Sequence, residues 1–465
     1  MSSGGRTLGP RPPNFTSRRA PTRAAPRFTR SFPRTPEGTL MLDVLRTRDA
    51  RFLLVGELIS LVGDRALMVA LPFFVYDKTG STLATAALVL AFYLPGLLFS
   101  SFSGVLADRL DRKRVLVVSH LLQAGVILAL LLVPHPGWMW IAYVVMFAEL
   151  TIATLVTPTA GALLPSLVND EHLPQANALF GMSVTTARVA GPLVGAALVG
   201  WTGLHGVILF DSVTFLLAAL LFARLTPRPR ALRDATDTRA SLLTSWRDMG
   251  REWRQGVRHV TASPALRVLF VTMNVTSLGG CLIDPFFVPW VKDRLGAGPQ
   301  EIGLLSTTLA VGALLGGTMA GRIARKLTPK TAVGLVTMLV GAMMIVVYQQ
   351  TRFEVALALL FFMGLPLVVS NVAAATLLQR VTPDAYRGRV YGALGTTNAL
   401  MGVTAVLVGG TLGELVGVVP MLTAAGAITV VGGLVGYRWL PSSSEQAAPA
   451  EREVPTASEA APSTS

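Results

Sequence analysis

The sequence predicts an all-α membrane protein of twelve transmembrane helices, arranged as two six-helix repeats that run parallel to one another. Three observations carry this reading. Apolar stretches about 20 residues long, the length needed to cross a bilayer core, recur along the chain. Lysine and arginine fall almost entirely in alternate loops. A short motif that closes the second stretch returns where the eighth one closes. The composition agrees: the 465 residues are 52% hydrophobic and 14% charged, with a mean hydropathy of +0.56, whereas soluble domains carry about 25% charged residues.

The predicted spans are 52–76, 83–106, 115–133, 138–160, 176–200, 205–223, 268–291, 300–321, 332–350, 354–376, 391–413 and 417–437. No cleavable leader precedes them, because the first apolar run begins only after Arg51. With the N-terminus placed in the cytoplasm, thirty-four of the forty Lys and Arg fall on the inside. Lys78, Lys292, Arg294 and Arg352 fall outside, and Arg65 and Arg188 lie within spans. Cationic side chains resist translocation, so this asymmetry fixes an even number of spans with both termini cytoplasmic. Trp138, Trp140, Trp290 and Trp439 fall near span ends, where an aromatic belt would place them.

Five segments follow from the map. Residues 1–48 form a basic tail; residues 1–40 hold eight Arg, seven Pro and one acid, a composition of disorder. Such an arm is either a solvated tail or is drawn to anionic lipid. Residues 49–223 form the first six-helix half. Residues 224–267, with ten Arg and four acids, form a cytoplasmic linker. Trp246, Met249, Trp253, Val257 and Val260 recur there at helical spacing, which predicts an amphipathic helix on the membrane surface. Residues 268–440 form the second half, and 441–465 a disordered tail.

The repeat is explicit in the residues. Gly104, Ala107, Asp108, Arg109, Arg112 and Lys113 align with Gly317, Ala320, Gly321, Arg322, Arg325 and Lys326 at a constant offset of 213. Leu163, Leu164, Asp170 and Gly181 return as Leu377, Leu378, Asp384 and Gly395 at offset 214. Paired halves of this kind build transporters with a substrate site between them near mid-membrane.

The run GVLADRLDRKR at Gly104 to Arg114 resembles the loop motif of the major facilitator superfamily, with Asp111 where the family usually has a second glycine. Gly63-Asp64 with Leu71-Pro72, Ala162 to Pro165, and Leu377 to Arg380 with Arg387 to Arg389 resemble its bacterial efflux branch, which includes enterobactin and macrolide exporters. The resemblance implies that Gly104, Asp108, Arg109 and Arg112 form a cytoplasmic latch of the outward-facing state; the alternative is a basic loop that only fixes topology. Arg188, Gly191, Pro192 and Gly195 partly match the family's antiporter motif, with Ala187 and Ala196 where that motif prefers glycine. Gly191, Pro192 and Gly195 would equally serve plain helix packing.

Ionisable residues inside a bilayer are expensive and invite a functional reading. Here they are Glu57, Asp64, Arg65, Glu149, Arg188, Asp211 and Asp284. Glu57 and Asp64 lie seven apart, hence on one helix face, which is expected to look into a central cavity. A carboxyl group there could take a proton on one side and release it on the other. The five acids are therefore the proton-coupling candidates, with Glu57 and Glu149 foremost, and Arg65 and Arg188 are cavity charges. Asp64 could instead pair with Arg188, and Asp211 and Asp284 could be structural. Gln123, Asn274, Asn371 and Asn398 are further polar span residues, either lining the cavity or bonding between helices.

Competing classes lack their signatures. The chain has no Gly-Lys dipeptide, hence no phosphate loop; its five His are scattered; and its one cysteine excludes a disulfide framework or a four-cysteine metal site. Neither an enzyme, catalytic residues, a metal nor a cofactor is expected, and the basic charge needs no nucleic acid to explain it. The expected function is proton-coupled efflux of an amphipathic small molecule by alternating access, from a bacterial cytoplasmic membrane, with lipid around a monomer. The alternatives are a proton-coupled importer of the same fold or a channel.

Overall fold

The computed structural model describes residues 44–135, 137–226, 251, 253–383, 386–440 and 442. The predicted N-terminal tail up to residue 43, Trp246, Met249 and most of the linker, and the C-terminal tail lie outside them. Eleven helices among the described residues are long and apolar enough to cross a membrane. They are α1 (Arg48–Thr79), α2 (Thr82–Arg109), α3 (Arg112–Leu128, extended by a 3₁₀ turn to Leu132), α4 (Trp140–Leu163) and the 51-residue rod Leu173–Ala223. After the linker come α7 (Pro264–Arg294), α8 (Pro299–Lys326), α9 (Lys330–Tyr348), α10 (Phe353–Val381), α11 (Arg387–Val416) and α12 (Val418–Trp439).

The rod would be roughly 77 Å long at about 1.5 Å per residue, more than twice a bilayer core of about 30 Å. It does not run straight. Gly203 sits at φ 67°, ψ −165°, outside the helical region. Only glycine takes such a conformation without strain, so the rod is two helices, α5 (173–202) and α6 (204–223), each long enough to cross a bilayer, which makes twelve candidate spans among the described residues. The break falls inside the predicted 200–205 gap.

Helix ends have local causes. Ser81 caps α2 by accepting from the Ala84 N–H, and Ser263 caps α7 through the Leu266 N–H. Asp111, standing where the resembled motif has glycine, caps α3: its carboxylate accepts the Arg114 N–H at 2.9 Å. Asp284-Pro285 follows a break in α7 at Leu282–Ile283, and the helix resumes at Asp284.

Two core clusters belong to the first half. One gathers Leu67, Leu71, Met146 and Phe215; the other gathers Leu53, Leu116, Leu163 and Phe222. Two more lie mainly in the second half, around Phe286, Trp290 and Met344, and around Leu269, Leu377 and Val390. Take the near end of the bundle as the one where α1 begins and α12 ends. Hydrogen bonds between the halves then collect towards the far end. Tyr76 donates to Asp293. Lys292 pairs with Asp77 at 2.7 Å, Ser81 donates to Glu414 at 2.8 Å, and Thr307 donates to the Val189 carbonyl at 3.0 Å.

Two expectations change. Trp290 is no interfacial belt residue: it is fully buried, donates to the Tyr348 carbonyl at 3.1 Å and packs edge-on against that ring. Among the described residues the exposed tryptophans are Trp138, Trp140, Trp439 and Trp201, the last 83% exposed beside the Gly203 break. The linker helix, over its described part 253–262, also has its apolar side against protein. Val260 packs with Val390 and Leu394, Trp253 donates to Thr397, and His259 stacks on Tyr386. Over these described residues its hydrophobic face is thus occupied by the start of α11.

Candidate functional site: a cavity between the halves and a buried acid cluster

The site begins with a close approach of α1 and α5. A Cβ on Gly195 would come within 2.5 Å of the Ala66 carbonyl oxygen, and one on Gly191 would overlap the Arg65 Cβ. These glycines let two backbones meet. On the other side of α5, Gly303 of α8 lies against Pro192 and Ala196. The triplet Gly191, Pro192 and Gly195 thus sits where α5 touches one helix from each half.

Arg65 and Arg188 are brought together by this contact, because Arg188 is one turn before Gly191. Both line a cavity of about 980 Å³. Its walls come from α1, α2 and α5 on one side and from α7 to α12 on the other. On α1 the lining positions are Arg65, Met68, Val69 and Pro72, spaced as one helical face. Opposite stand Asp284, Asn371 and Asn398. Tyr93 of α2 donates to Asp284 across the cavity at 2.5 Å, and Cys281 lies against the same pair.

Glu57 and Asp64 share a face, as their spacing requires, but that face does not line the cavity. It turns into the first half. Glu57 is 3% exposed, and Gly63, next to Asp64, is covered by the Asp211 carboxylate and Thr214 of α6. The physical reason is angular: adjacent residues diverge by about 100° on a helix, so with Arg65 on the cavity wall Asp64 falls off it, within the field of Glu57, Glu149 and Asp211. The expectation that Glu57 and Asp64 look into the central cavity is corrected accordingly. Asp64 and Arg188 form no ion pair among the described residues.

Glu149 of α4 and Asp211 complete a cluster. Glu57, Glu149 and Asp211 each feel the charge of Asp64, and Asp211 also feels that of Glu149. Glu149 accepts from Gln123 of α3 at 2.8 Å, and Asp211 accepts from Thr214 at 3.3 Å. One oxygen each of Glu57, Asp211 and Gln123 is buried with no partner. Four carboxyl groups from three helices thus gather inside the first half: Glu57, Glu149 and Asp211 are buried and Asp64 is half-buried. Of the other polar span residues, Asn371 and Asn398 line the cavity, Gln123 serves Glu149, and Asn274 is buried and donates to the Phe270 carbonyl at 2.8 Å.

At the end of α2, the side chains of Asp108 and Arg109 and the surroundings of Gly104 lie outside the described residues. Arg112 donates to the Ala162 carbonyl at 2.6 Å, tying this loop to the end of α4. Sequence reasoning missed Tyr93: a lone tyrosine in an apolar span carries no signal until Asp284, 191 residues away, is placed opposite it.

The sequence model described as Major Facilitator Superfamily matches residues 53–283 and 269–463, nearly the whole of both halves. The chain belongs to the major facilitator superfamily. Among its relatives, Macrolide efflux protein A of Streptococcus pyogenes is 22% identical over 81% of this chain and 92% of its own length. The enterobactin exporter EntS of Escherichia coli is 28% identical over 85% of this chain and 93% of its own. A bacterial homologue of the iron transporter ferroportin, solved in an inward-facing state, superposes with a TM-score of 0.64 at 19% identity; the match covers 84% of this chain and 98% of that one. These proteins are transporters, and this chain is a multi-pass membrane protein of their fold.

Proposed function

We propose that the protein is a proton-coupled exporter of an amphipathic small molecule, working by alternating access in a bacterial cytoplasmic membrane with both termini inside. The observation that carries this is the gathering of Glu57, Glu149 and Asp211, all buried, around the half-buried Asp64, next in sequence to the Arg65 wall of the cavity. Carboxyl groups that see one another titrate as a set, so a proton gained or lost at one changes the field at the others. Asp64 and Arg65 are neighbours in sequence and diverge by about 100°, one towards the cluster and one into the cavity. A change of charge in the cluster is therefore felt by the group that meets the cargo. The relatives named for macrolide efflux and enterobactin export support an outward direction. Residues 49–223 and 268–440 act as the moving bodies, with the Arg112 loop holding the near side of the first.

Everted vesicles from cells making the protein test this reading. An imposed pH gradient, inside acid, is expected to drive substrate accumulation, and Glu149→Gln and Glu57→Gln are expected to uncouple it. Accumulation that ignores the gradient would refute proton coupling. Normal transport by either variant would remove that residue from the role.

A further inference from the structure

The charged residues lining the cavity are Arg65, Arg188 and Asp284. Asp284 is engaged by Tyr93. The two arginines stand on the same wall, held beside one another by the seating of Gly191 on Arg65; Arg65 feels the charge of Asp64, its neighbour in sequence and off the cavity wall, and that of Arg188. Neither closes an ion pair among the described residues. Arg65 donates only to the Met68 sulfur at 3.4 Å, a weak acceptor. Two cations facing the same space without an anion between them are an unfilled demand for one. The guanidinium fork matches the planar or tetrahedral oxyanion of a carboxylate, sulfonate or phosphate.

The rest of the cavity sets the remaining chemistry. Phe92, Phe287, Met344 and Met363 offer apolar and aromatic surface, and Asn371 and Asn398 offer amide groups. One buried oxygen of Asn398 has no partner. The volume suits a drug-sized molecule. We infer that the cargo is an amphiphilic anion: its oxyanion group binds between Arg65 and Arg188, and its apolar body lies against the aromatic and methionine surface of the second half. This deepens the transport reading and rests on it for the word cargo; the anion site itself stands on the paired arginines.

Three fluorescent probes sharing one ring system test it: dansyl sulfonate (anionic), dansylamide (neutral) and a dansyl trimethylammonium derivative (cationic). Each is titrated into the full-length protein in nanodiscs and followed by counterflow in proteoliposomes. The anion is expected to bind at least about tenfold more tightly than the other two. Arg65→Gln and Arg188→Gln are expected to abolish that preference, and Arg188→Lys to restore part of it, with folding checked by thermal melting. Tighter binding of the cation, binding of no probe, or a preference unchanged in both glutamine variants overturns the anion site. Anion binding without counterflow keeps the site and counts against transport. Counterflow of the cation alone keeps transport and overturns the site. Titration in phosphatidylcholine nanodiscs with and without phosphatidylglycerol separates two sources of the same chemistry. Competition by the added lipid supports the oxyanion site with a lipid headgroup as occupant; its absence supports a soluble anion.

Discussion

Replacing Tyr93 with phenylalanine removes one hydroxyl and leaves the ring. That hydroxyl donates to Asp284 at 2.5 Å and ties α2 of the first half to α7 of the second. A hydrogen bond to a charged partner contributes about 1.5–3 kcal/mol, which corresponds to roughly a 10- to 150-fold change in an equilibrium constant. The bond exists only while the halves are closed around it, so its loss is expected to raise the population open at the far end by that factor. Cys281 provides the reporter. It is the one cysteine of the chain, it is half-buried, and it lies against the Tyr93–Asp284 pair. Labelling by a membrane-impermeant maleimide from the side away from the termini should accelerate about 10- to 150-fold in Tyr93→Phe if it tracks the open population. Asp284→Asn keeps an acceptor and should give the smaller effect of a neutral bond, on the order of 0.5–1.5 kcal/mol. Equal labelling in wild type and Tyr93→Phe, or a larger effect in Asp284→Asn, would refute the claim that this contact holds the halves together.

Three further outcomes follow from packing and burial. Gly195→Leu forces a side chain into the Ala66 backbone and should destabilise the purified protein by about 1–3 kcal/mol; an unchanged melting temperature would contradict the close contact of α1 and α5. Trp290→Ala empties a fully buried site and should cost about 3–5 kcal/mol, whereas Trp201→Ala, at an exposed position, should leave the melting temperature nearly unchanged; similar losses in both would disprove the assignment of Trp290 to the core. Gln123→Ala strips Glu149 of its buried donor at a cost of about 1–3 kcal/mol, and the double variant with Glu149→Gln should recover part of that loss; an additive double mutant would show that the two side chains do not interact.

Much of the architecture is legible in the residues themselves. Span length, the segregation of Lys and Arg, and the return of Gly104 to Lys113 at Gly317 to Lys326 each report a constraint that acts locally, through hydrocarbon thickness and translocation of charge. The break between α5 and α6 is legible for the same reason, since the predicted gap holds the glycine that bends. The site is legible only in part. Spacing says that Glu57 and Asp64 share a face, but not which way the face turns; that depends on Glu149 and Asp211, brought beside it from helices about 90 and 150 residues later. Trp290 follows the same logic. A tryptophan at a span end reads as interfacial until Tyr348, on another span, offers its carbonyl and ring. Contacts between distant spans decide such cases, and a single chain does not print them.

The placement of the four carboxyls has a practical consequence for redesign. All of them belong to α1, α4 and α6, while most of the cavity surface comes from α7 to α12. On the proposed reading the acid cluster lies wholly in the first half, whereas recognition is shared: Arg65 and Arg188 stand on α1 and α5, and most of the apolar and amide surface stands on the second half. A mutational library confined to the second half samples new selectivities while leaving the acid interior chemically unchanged. Shuffling first halves between relatives would instead exchange the acid cluster together with the arginine pair, and keep the apolar and amide wall of the second half.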